Sequence, residues 1–336
     1  VGLDVGDRVT HVCVLDEAGR IAERGRVATT VSAVTHWAAR PAARVVLEAG
    51  THSPWLSRVL TAAGHAVVVA QARQVRLIYQ GHRKSDRVDA ETLARLGRVD
   101  PALLAPIQHR GAPAQQHLAL VRSRDAVVRT RTLLINHVRG TVKAWGGRLP
   151  ACSAPQVAAQ SASVVPAGLR EALAPVLALL AELTATIRGY DRQVEQVART
   201  TYPETARLRQ VRGVGALTAL TYVLTLESPA RFPRSRQVGA YLGRCPRRAQ
   251  SSTQDPELRI SKTGDALLRR LLVTSAHYIL GPFGPDTDLR AWGLRLAQGG
   301  KRAKKRAVVA VARKLAVLLH QLWRSGAPYH AVTRPA

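Results

Sequence analysis

Apolar and polar positions divide the chain into two kinds of territory. Over the first hundred residues, short apolar runs alternate with polar turns. Val1 to Val5 and Thr10 to Leu15 (THVCVL) have strand length, and Asp16-Glu17-Ala18-Gly19 reads as a turn leading to a third run, Ile21 to Val27. These three predict a meander. Val31 to Ala39 shows helical spacing, and Arg44 to Leu47 (RVVL) reads as a buried strand ending at Glu48-Ala49-Gly50. Ser53 to Ala63 predicts a helix with Ser53 as its cap and Pro54 at its first position. Ala66 to Ala70 (AVVVA) is a fifth strand, followed by a basic stretch, Arg73 to Lys84, and a helix over Ser85 to Leu96. Three meandering strands, then helix, strand, helix, strand, helix, is a ribonuclease-H-like order. It predicts an α/β domain over residues 1–110.

Past that point the period changes. Pro113 to Gly146 and Pro166 to Thr200 are long, amphipathic and helical; Leu169, Leu173, Val176, Leu180 and Leu183 recur at the steps of a helix-packing seam. The Ala/Ser/Pro-rich stretch between them predicts a linker near 150–165. Residues 111–200 thus predict an antiparallel helical arm suited to pairing with another subunit. The remainder, 201–336, reads as a mainly helical domain. It holds Leu208 to Leu226 with its Gly213-Val214-Gly215 turn, a loop from Gly243 to Ile260, a helix over Asp265 to Leu280, and a basic cluster, Lys301 to Arg306, feeding a helix over Ala307 to Trp323. The Gly-x-Gly turn can present backbone N–H groups to a phosphate, and serves equally well as a tight interhelical turn.

Charge narrows the function. The 336 residues carry 50 Lys+Arg against 22 Asp+Glu, a net charge of +28, which favours a polyanionic partner. Residues 205–336 hold 24 Lys/Arg against 6 Asp/Glu, a net of +18, and form the expected backbone-gripping surface. Aromatics are only 4%, which argues against a recognition sheet built on base stacking. Three widely spaced cysteines, Cys13, Cys152 and Cys245, argue against a disulfide framework and fit a reducing compartment. No stretch reaches the roughly 18 uninterrupted apolar residues of a membrane span. The expectation is a cytoplasmic, nucleoid-associated protein without a membrane partner.

Four acids stand out by position. Asp4 lies in the first strand and Glu48 at the end of the fourth, which the expected sheet makes parallel neighbours; Asp86 and Asp89, three apart, share a helix face. Like charges gathered this closely call for cations, and hard oxygen donors suit Mg²⁺ or Mn²⁺ acting on a phosphodiester. Taken singly, each is as well explained as a strand end or helix cap. Gly2-Leu3-Asp4-Val5-Gly6 would also suit the first phosphate loop of an actin-like kinase. The long basic helical region argues against the second fold repeat such a kinase needs.

At these residues the sequence resembles a family. Gly2-Leu3-Asp4-Val5, Leu47-Glu48-Ala49-Gly50 and Lys84-Ser85-Asp86-Arg87-Val88-Asp89-Ala90 are similar to the N-terminal motifs of the insertion-sequence one-ten family of DEDD transposases, which have a RuvC-like domain. Arg212-Gly213-Val214-Gly215, Phe232, Gly239-Ala240-Tyr241-Leu242-Gly243, Pro246, Ser251 and Ile260 to Asp265 through Leu267-Leu268-Arg269-Arg270 resemble its second signature. Departures are Ser251-Ser252 where the family usually has Ser-Gly, Gly243-Arg244 for Gly-Leu, and Val5-Gly6-Asp7 for Val-Ser-Lys.

The resemblance implies a recombinase acting on donor and target DNA, guided by a structured bridge RNA and assembling from dimers into a tetramer. It implies Mg²⁺ or Mn²⁺ held by Asp4, Glu48, Asp86 and Asp89, and attack on the scissile phosphate by Ser251, or by its neighbour Ser252. A phosphoserine link and a Holliday-junction-like intermediate would follow. Lys84, Arg87, Gly213, Gly215, Lys262, Arg269 and Arg270 are the candidate nucleic-acid contacts. Two other readings remain open: a RuvC-like endonuclease using water, and a non-catalytic nucleic-acid-binding protein.

Overall fold

The computed structural model describes residues 1–71, 86–247 and 258–331. The chain divides into two compact units, Val1–Gly111 and Ala112–Ala336, so the arm falls in the same unit as the C-terminal region.

The first unit is built on one five-stranded sheet. Strands β1 (Gly2–Val5), β2 (Val9–Leu15), β3 (Ile21–Ala28), β4 (Arg44–Glu48) and β5 (Ala66–Ala70) lie in the order β3-β2-β1-β4-β5. The first three form the expected antiparallel meander, and β4 and β5 add parallel to β1. Helices α1 (Val31–Ala38) and α2 (Ser53–Ala62) make the two parallel crossovers possible. Their buried residues Val34, Ala38, Leu56 and Leu60 form one core with Leu3, Val12, Val45, Leu47 and Val69 from the sheet. Helix α3 (Asp86–Val99) packs through Ala90, Leu93 and Ala94 against Cys13, Val46 and Ala70, in two further clusters.

The second unit is helical throughout its described residues. Helices α4 (Ala112–Ala144) and α6 (Arg170–Thr200) form the arm, joined through a short α5 (Val157–Ser161) within the expected linker. Their antiparallel pairing shows in the cross-links: Arg124 bonds Asp191 at 2.6 Å, and Arg131 reaches Thr184 at 3.4 Å. The far end closes over a small core of Ile135, Val138, Val142, Val157, Leu173 and Leu180. The helical stretch Ala167–Thr200 is, by length and composition only, apolar enough to cross a membrane, with a mean hydropathy of 1.4 in its most apolar window. Glu182 and Arg188 divide it, so it holds no uninterrupted apolar run of that length. Its seam residues Leu173, Leu180 and Ile187 are buried within the arm.

Beyond the arm come α7 (Thr205–Leu208), α8 (Ala216–Leu226), α9 (Arg236–Tyr241), α10 (Ala266–Leu280), α11 (Asp288–Ala297) and α12 (Lys301–Ser325). Every residue of α8 from Thr218 to Leu226 is buried, which suits its nearly continuous apolar sequence. Tyr222 donates to the Ala316 carbonyl at 2.6 Å, so its hydroxyl crosses the core satisfied. The basic cluster Lys301 to Arg306 forms the first turns of α12 itself. Its apolar stripe begins at Ala307 and Val308 and runs through Leu315 and Leu319.

Candidate active site

Three elements deliver the four acids. Strands β1 and β4 are in parallel register at Gly2–Val46 and Leu3–Leu47, so the next residues, Asp4 and Glu48, come level near the strands' C-terminal ends. Asp86 and Asp89 stand in the first turn of α3. The seat of that helix is set by missing side chains. A Cβ on Gly2 would lie 2.0 Å from the Ala90 carbonyl oxygen and 2.5 Å from the Ala94 nitrogen; one on Gly97 would lie 2.2 Å from Val46 Cγ2. Hydrogen alone at both positions lets α3 lie directly on β1 and β4. Arginines hold its outer face to the β2–β3 hairpin. Glu91 pairs with Arg24 and, at 2.8 Å, with Arg95, and Arg98 donates to the Glu17 carbonyl at 2.7 Å.

The acids meet electrostatically at Asp4. Burial raises its carboxyl first, Asp89 and Asp86 next, and Glu48 adds less; His11 opposes them, and the balance pushes the group up from 3.8 to about 6. His11 stands opposite Asp4 on the β1–β2 ladder, with its Nε2 3.7 Å from Asp86 Oδ2. Sequence reasoning missed this histidine. Its only signal was the hairpin register, and apolar alternation in THVCVL does not fix that register. Asp7, the extra acid near the cluster, is exposed, with its Oδ1 3.2 Å from His52 Nε2.

The donor set is all oxygen, the chemistry that suits Mg²⁺ or Mn²⁺ rather than a softer metal. The Asp4 carboxyl is raised first by burial and then by the neighbouring acids, and a cation would relieve that second part. As the side chains stand, no group of three or more His, Cys, Asp or Glu among the described residues is gathered closely enough to hold a metal ion. By donor chemistry the residues fit such an ion.

Ser53 has a different task from the expected one. The cap of α2 is His52, and Ser53 Oγ instead donates to the Gly50 carbonyl at 2.8 Å and accepts the Gly50 N–H at 3.0 Å. His109 Nε2 lies 2.9 Å from the same oxygen. Ser53 therefore fixes the turn that leads directly out of Glu48.

Among the other candidates, Ser251, Ser252 and Lys84 lie outside the described residues. The flanks of the serine segment are tied together: Arg247 donates to the Arg259 carbonyl at 3.0 Å, Ser261 to Cys245 at 2.9 Å, and Lys262 to Gly243 at 3.1 Å. Gly243 (φ +65°) and Gly264 (φ +77°) permit this join, since a Cβ on Gly243 would lie 2.3 Å from the Thr263 oxygen and one on Gly264 2.2 Å from that of Tyr241. Arg269 donates to the carbonyls of Thr263 at 2.5 Å and Gly264 at 2.8 Å, while Arg270 pairs with Asp125 on the arm. Both guanidiniums are thus engaged within the protein. Lys262 and Arg87 are exposed. Gly213 packs against α10, where a Cβ would lie 2.9 Å from the Tyr278 ring, whereas at Gly215, the cap of α8, nothing lies within 4 Å of one.

An acid cluster at one edge of an α/β sheet, in a chain whose other unit is strongly basic, defines a class of proteins that act on nucleic acid. Comparison with known proteins gives the family. Residues 1–145 match the model of the IS110 DEDD transposases, described as "Transposase", and residues 205–287 match that of the "Transposase IS116/IS110/IS902 family". The transposase for insertion sequence element IS1111A of Coxiella burnetii is 29% identical over 331 residues, 96% of this chain and 88% of the relative. A probable family 20 transposase of Pseudomonas aeruginosa is 29% identical over 319 residues, covering 93% and 92% of the two chains. The transposase for insertion sequence element IS1328 of Yersinia enterocolitica is 28% identical over 287 residues, 82% of each chain. The chain belongs to the IS110 family of insertion-sequence transposases.

Proposed function

We propose that the chain cuts and rejoins DNA strands by a metal-dependent phosphoryl transfer, with the Val1–Gly111 unit as a ribonuclease-H-like, RuvC-like catalytic domain. One observation carries the reading: strand register and the seat of α3 place three acids from two further elements where, after burial, each adds to the raised Asp4 carboxyl. The strand order and the parallel addition of β4 and β5 to a meander support the fold assignment. Asp4, Glu48, Asp86 and Asp89 would hold Mg²⁺ or Mn²⁺. Such an ion supplies neutralising charge at the phosphodiester and favours loss of the nucleophile's proton.

The protein's own groups do the rest. Strand register brings Asp4 and Glu48 level, and they would supply two of the oxygen donors. The turn held by Ser53 keeps Glu48 in place, and His11 positions Asp86 beside Asp4. Ser251 is the proposed nucleophile: its Oγ displaces one deoxyribose oxygen from the scissile phosphate, which frees that strand end as a hydroxyl and leaves the other as a phosphoserine diester that a strand-end hydroxyl can attack in rejoining; Ser252 is its adjacent substitute. A structured guide RNA and a homo-oligomer, dimer to tetramer, complete the reading, in line with the large positive surplus and the arm.

Substitution separates the steps. Asp4→Asn and Asp89→Asn should abolish strand cleavage while sparing DNA binding, and EDTA should reproduce the effect. Ser251→Ala should remove the covalent DNA adduct seen on denaturing gels; adducts lost only with Ser252→Ala would move the assignment by one residue. Cleavage that persists without any adduct would make water the nucleophile, and cleavage unaffected by EDTA would sink the metal site.

A further inference from the structure

A second site lies in the basic unit. A groove of about 1310 Å³ runs between α9, the 258–262 segment, α11 and α12. That exceeds the roughly 300–1,000 Å³ of small-molecule sites, so its occupant is chain-like. Among the described residues, nine Lys/Arg side chains line it against one carboxylate, Asp288. Beneath this charge the lining is apolar, with Ile260, Val309, Val317 and Leu318 around Trp292, whose ring carries Lys314 Nζ 4.2 Å from its centroid.

Arg244 is the unusual member. It is only 3% exposed and lines the groove, yet its Nε has no hydrogen-bond partner. Another of its N–H groups donates to the Arg269 carbonyl. Burial and the neighbouring Arg269 guanidinium press its pKa down to about 10, and among the described residues no carboxylate offsets them. A buried guanidinium with an open donor is costly unless an anion completes it.

We infer that this groove takes a single strand of nucleic acid, with one backbone phosphate on Arg244 and a base against the apolar lining at Trp292. Charge complementarity selects a polyanion, and depth selects the single strand. A duplex presents its phosphates on a rigid convex surface and cannot lower one onto a side chain this buried, whereas a flexible strand can turn a phosphate inward and a base onto an aromatic ring. The flanks of the serine segment, Arg244 to Arg247 and Arg259 to Lys262, border the same groove. The inference deepens the nucleic-acid reading above and is independent of the metal site.

The test uses the full chain in EDTA, with fluorescence anisotropy of a labelled twelve-nucleotide DNA strand, the matching RNA strand and the DNA duplex over a salt series. Arg244→Leu should weaken single-strand binding at least about tenfold and lower the salt slope by about 1, while leaving duplex binding within about twofold. The control Lys143→Gln on the arm should change single-strand binding by less than about threefold. The DNA and RNA arms show which strand the groove prefers. A strand carrying 5-iodouracil should photocrosslink in the wild-type chain to Trp292 or Tyr329, which decides the matter even where Arg244→Leu fails to fold. Unchanged single-strand binding by a folded Arg244→Leu, crosslinks mapping only elsewhere, or stronger displacement of the strand by a polyglutamate peptide would each overturn the inference. If the wild-type chain binds no nucleic acid at all, the proposed function falls with it; if it binds but ignores Arg244, only the groove does.

Discussion

Asp4 is the residue on which the acid cluster can be measured. Its carboxyl, raised to about 6 from 3.8, binds a proton more readily in the folded chain than in the unfolded one. The stability this gives is full below the unfolded value and is lost as pH rises through about 6. Without divalent metal, Asp4→Asn should therefore flatten the fall in Tm between pH 4 and 7 and raise the Tm at pH 7.5. Mg²⁺ should raise the Tm of the wild-type chain by binding only its folded form, and should do little for Asp4→Asn. Equal Mg²⁺ responses in scanning fluorimetry would remove Asp4 from the ligand set. His11 permits a finer test, because its ring faces both Asp4 and Asp86. As a positioning residue it should affect metal affinity more than nucleic-acid binding. His11→Ala is expected to need about tenfold more Mg²⁺ for the same Tm rise, with DNA affinity unchanged in anisotropy.

At the scale of elements, the seat of α3 decides whether the acids meet. Gly2→Ala places a methyl against backbone atoms of Ala90 and Ala94, which no side-chain rearrangement can relieve. It should cost about 2–3 kcal/mol of stability or displace the helix, and in either case blunt the Mg²⁺-dependent Tm rise. Urea unfolding with and without Mg²⁺ checks this, and wild-type behaviour in both would show that the close approach does not matter. That interface also marks the limit of sequence reading. The five strands and the long helices were legible because short apolar runs bounded by polar turns and 3.6-residue periodicity survive in their side chains. Gly2, Ala90, Ala94 and Gly97 are small residues that carry no such period, so the packing that positions Asp86 and Asp89 left no trace. Ser53 failed as a cap for a related reason. A serine before proline satisfies the capping rule, but its hydroxyl is taken by Gly50 and His109, partners that only the folded chain supplies. Lys301 to Arg306 likewise read only as a basic cluster feeding a helix from Ala307, since charge hides the helix's first turns and its apolar stripe starts at Ala307.

Over the whole molecule, most of the positive charge and the four acids of the proposed metal site are kept in different units, with the proposed serine nucleophile in the strongly charged one. Residues 112–336 hold 35 Lys/Arg against 12 Asp/Glu, a net of +23, leaving +5 for the 111 residues that carry the acid cluster. Four clustered carboxylates repel a phosphate backbone. On the proposed reading they can be approached by phosphate only when a cation covers them, whereas the second unit's positive surplus would hold phosphate with or without metal. Grip and reaction should then be separable by salt. Affinity for a DNA duplex should fall steeply between 50 and 200 mM salt through counterion release, with a slope set by the second unit's cations. Asp4→Asn should reproduce that slope without Mg²⁺. Replacing Lys304 and Lys305, in the first turns of α12, by Gln should flatten it by about 1 for each phosphate these lysines neutralise. In cleavage assays the same pair should raise the DNA concentration needed while leaving the rate at saturation nearly unchanged, because these lysines touch no reacting atom. A saturated rate that falls with the lysine pair, or a slope that changes with Asp4→Asn, would show that the two units share one electrostatic surface.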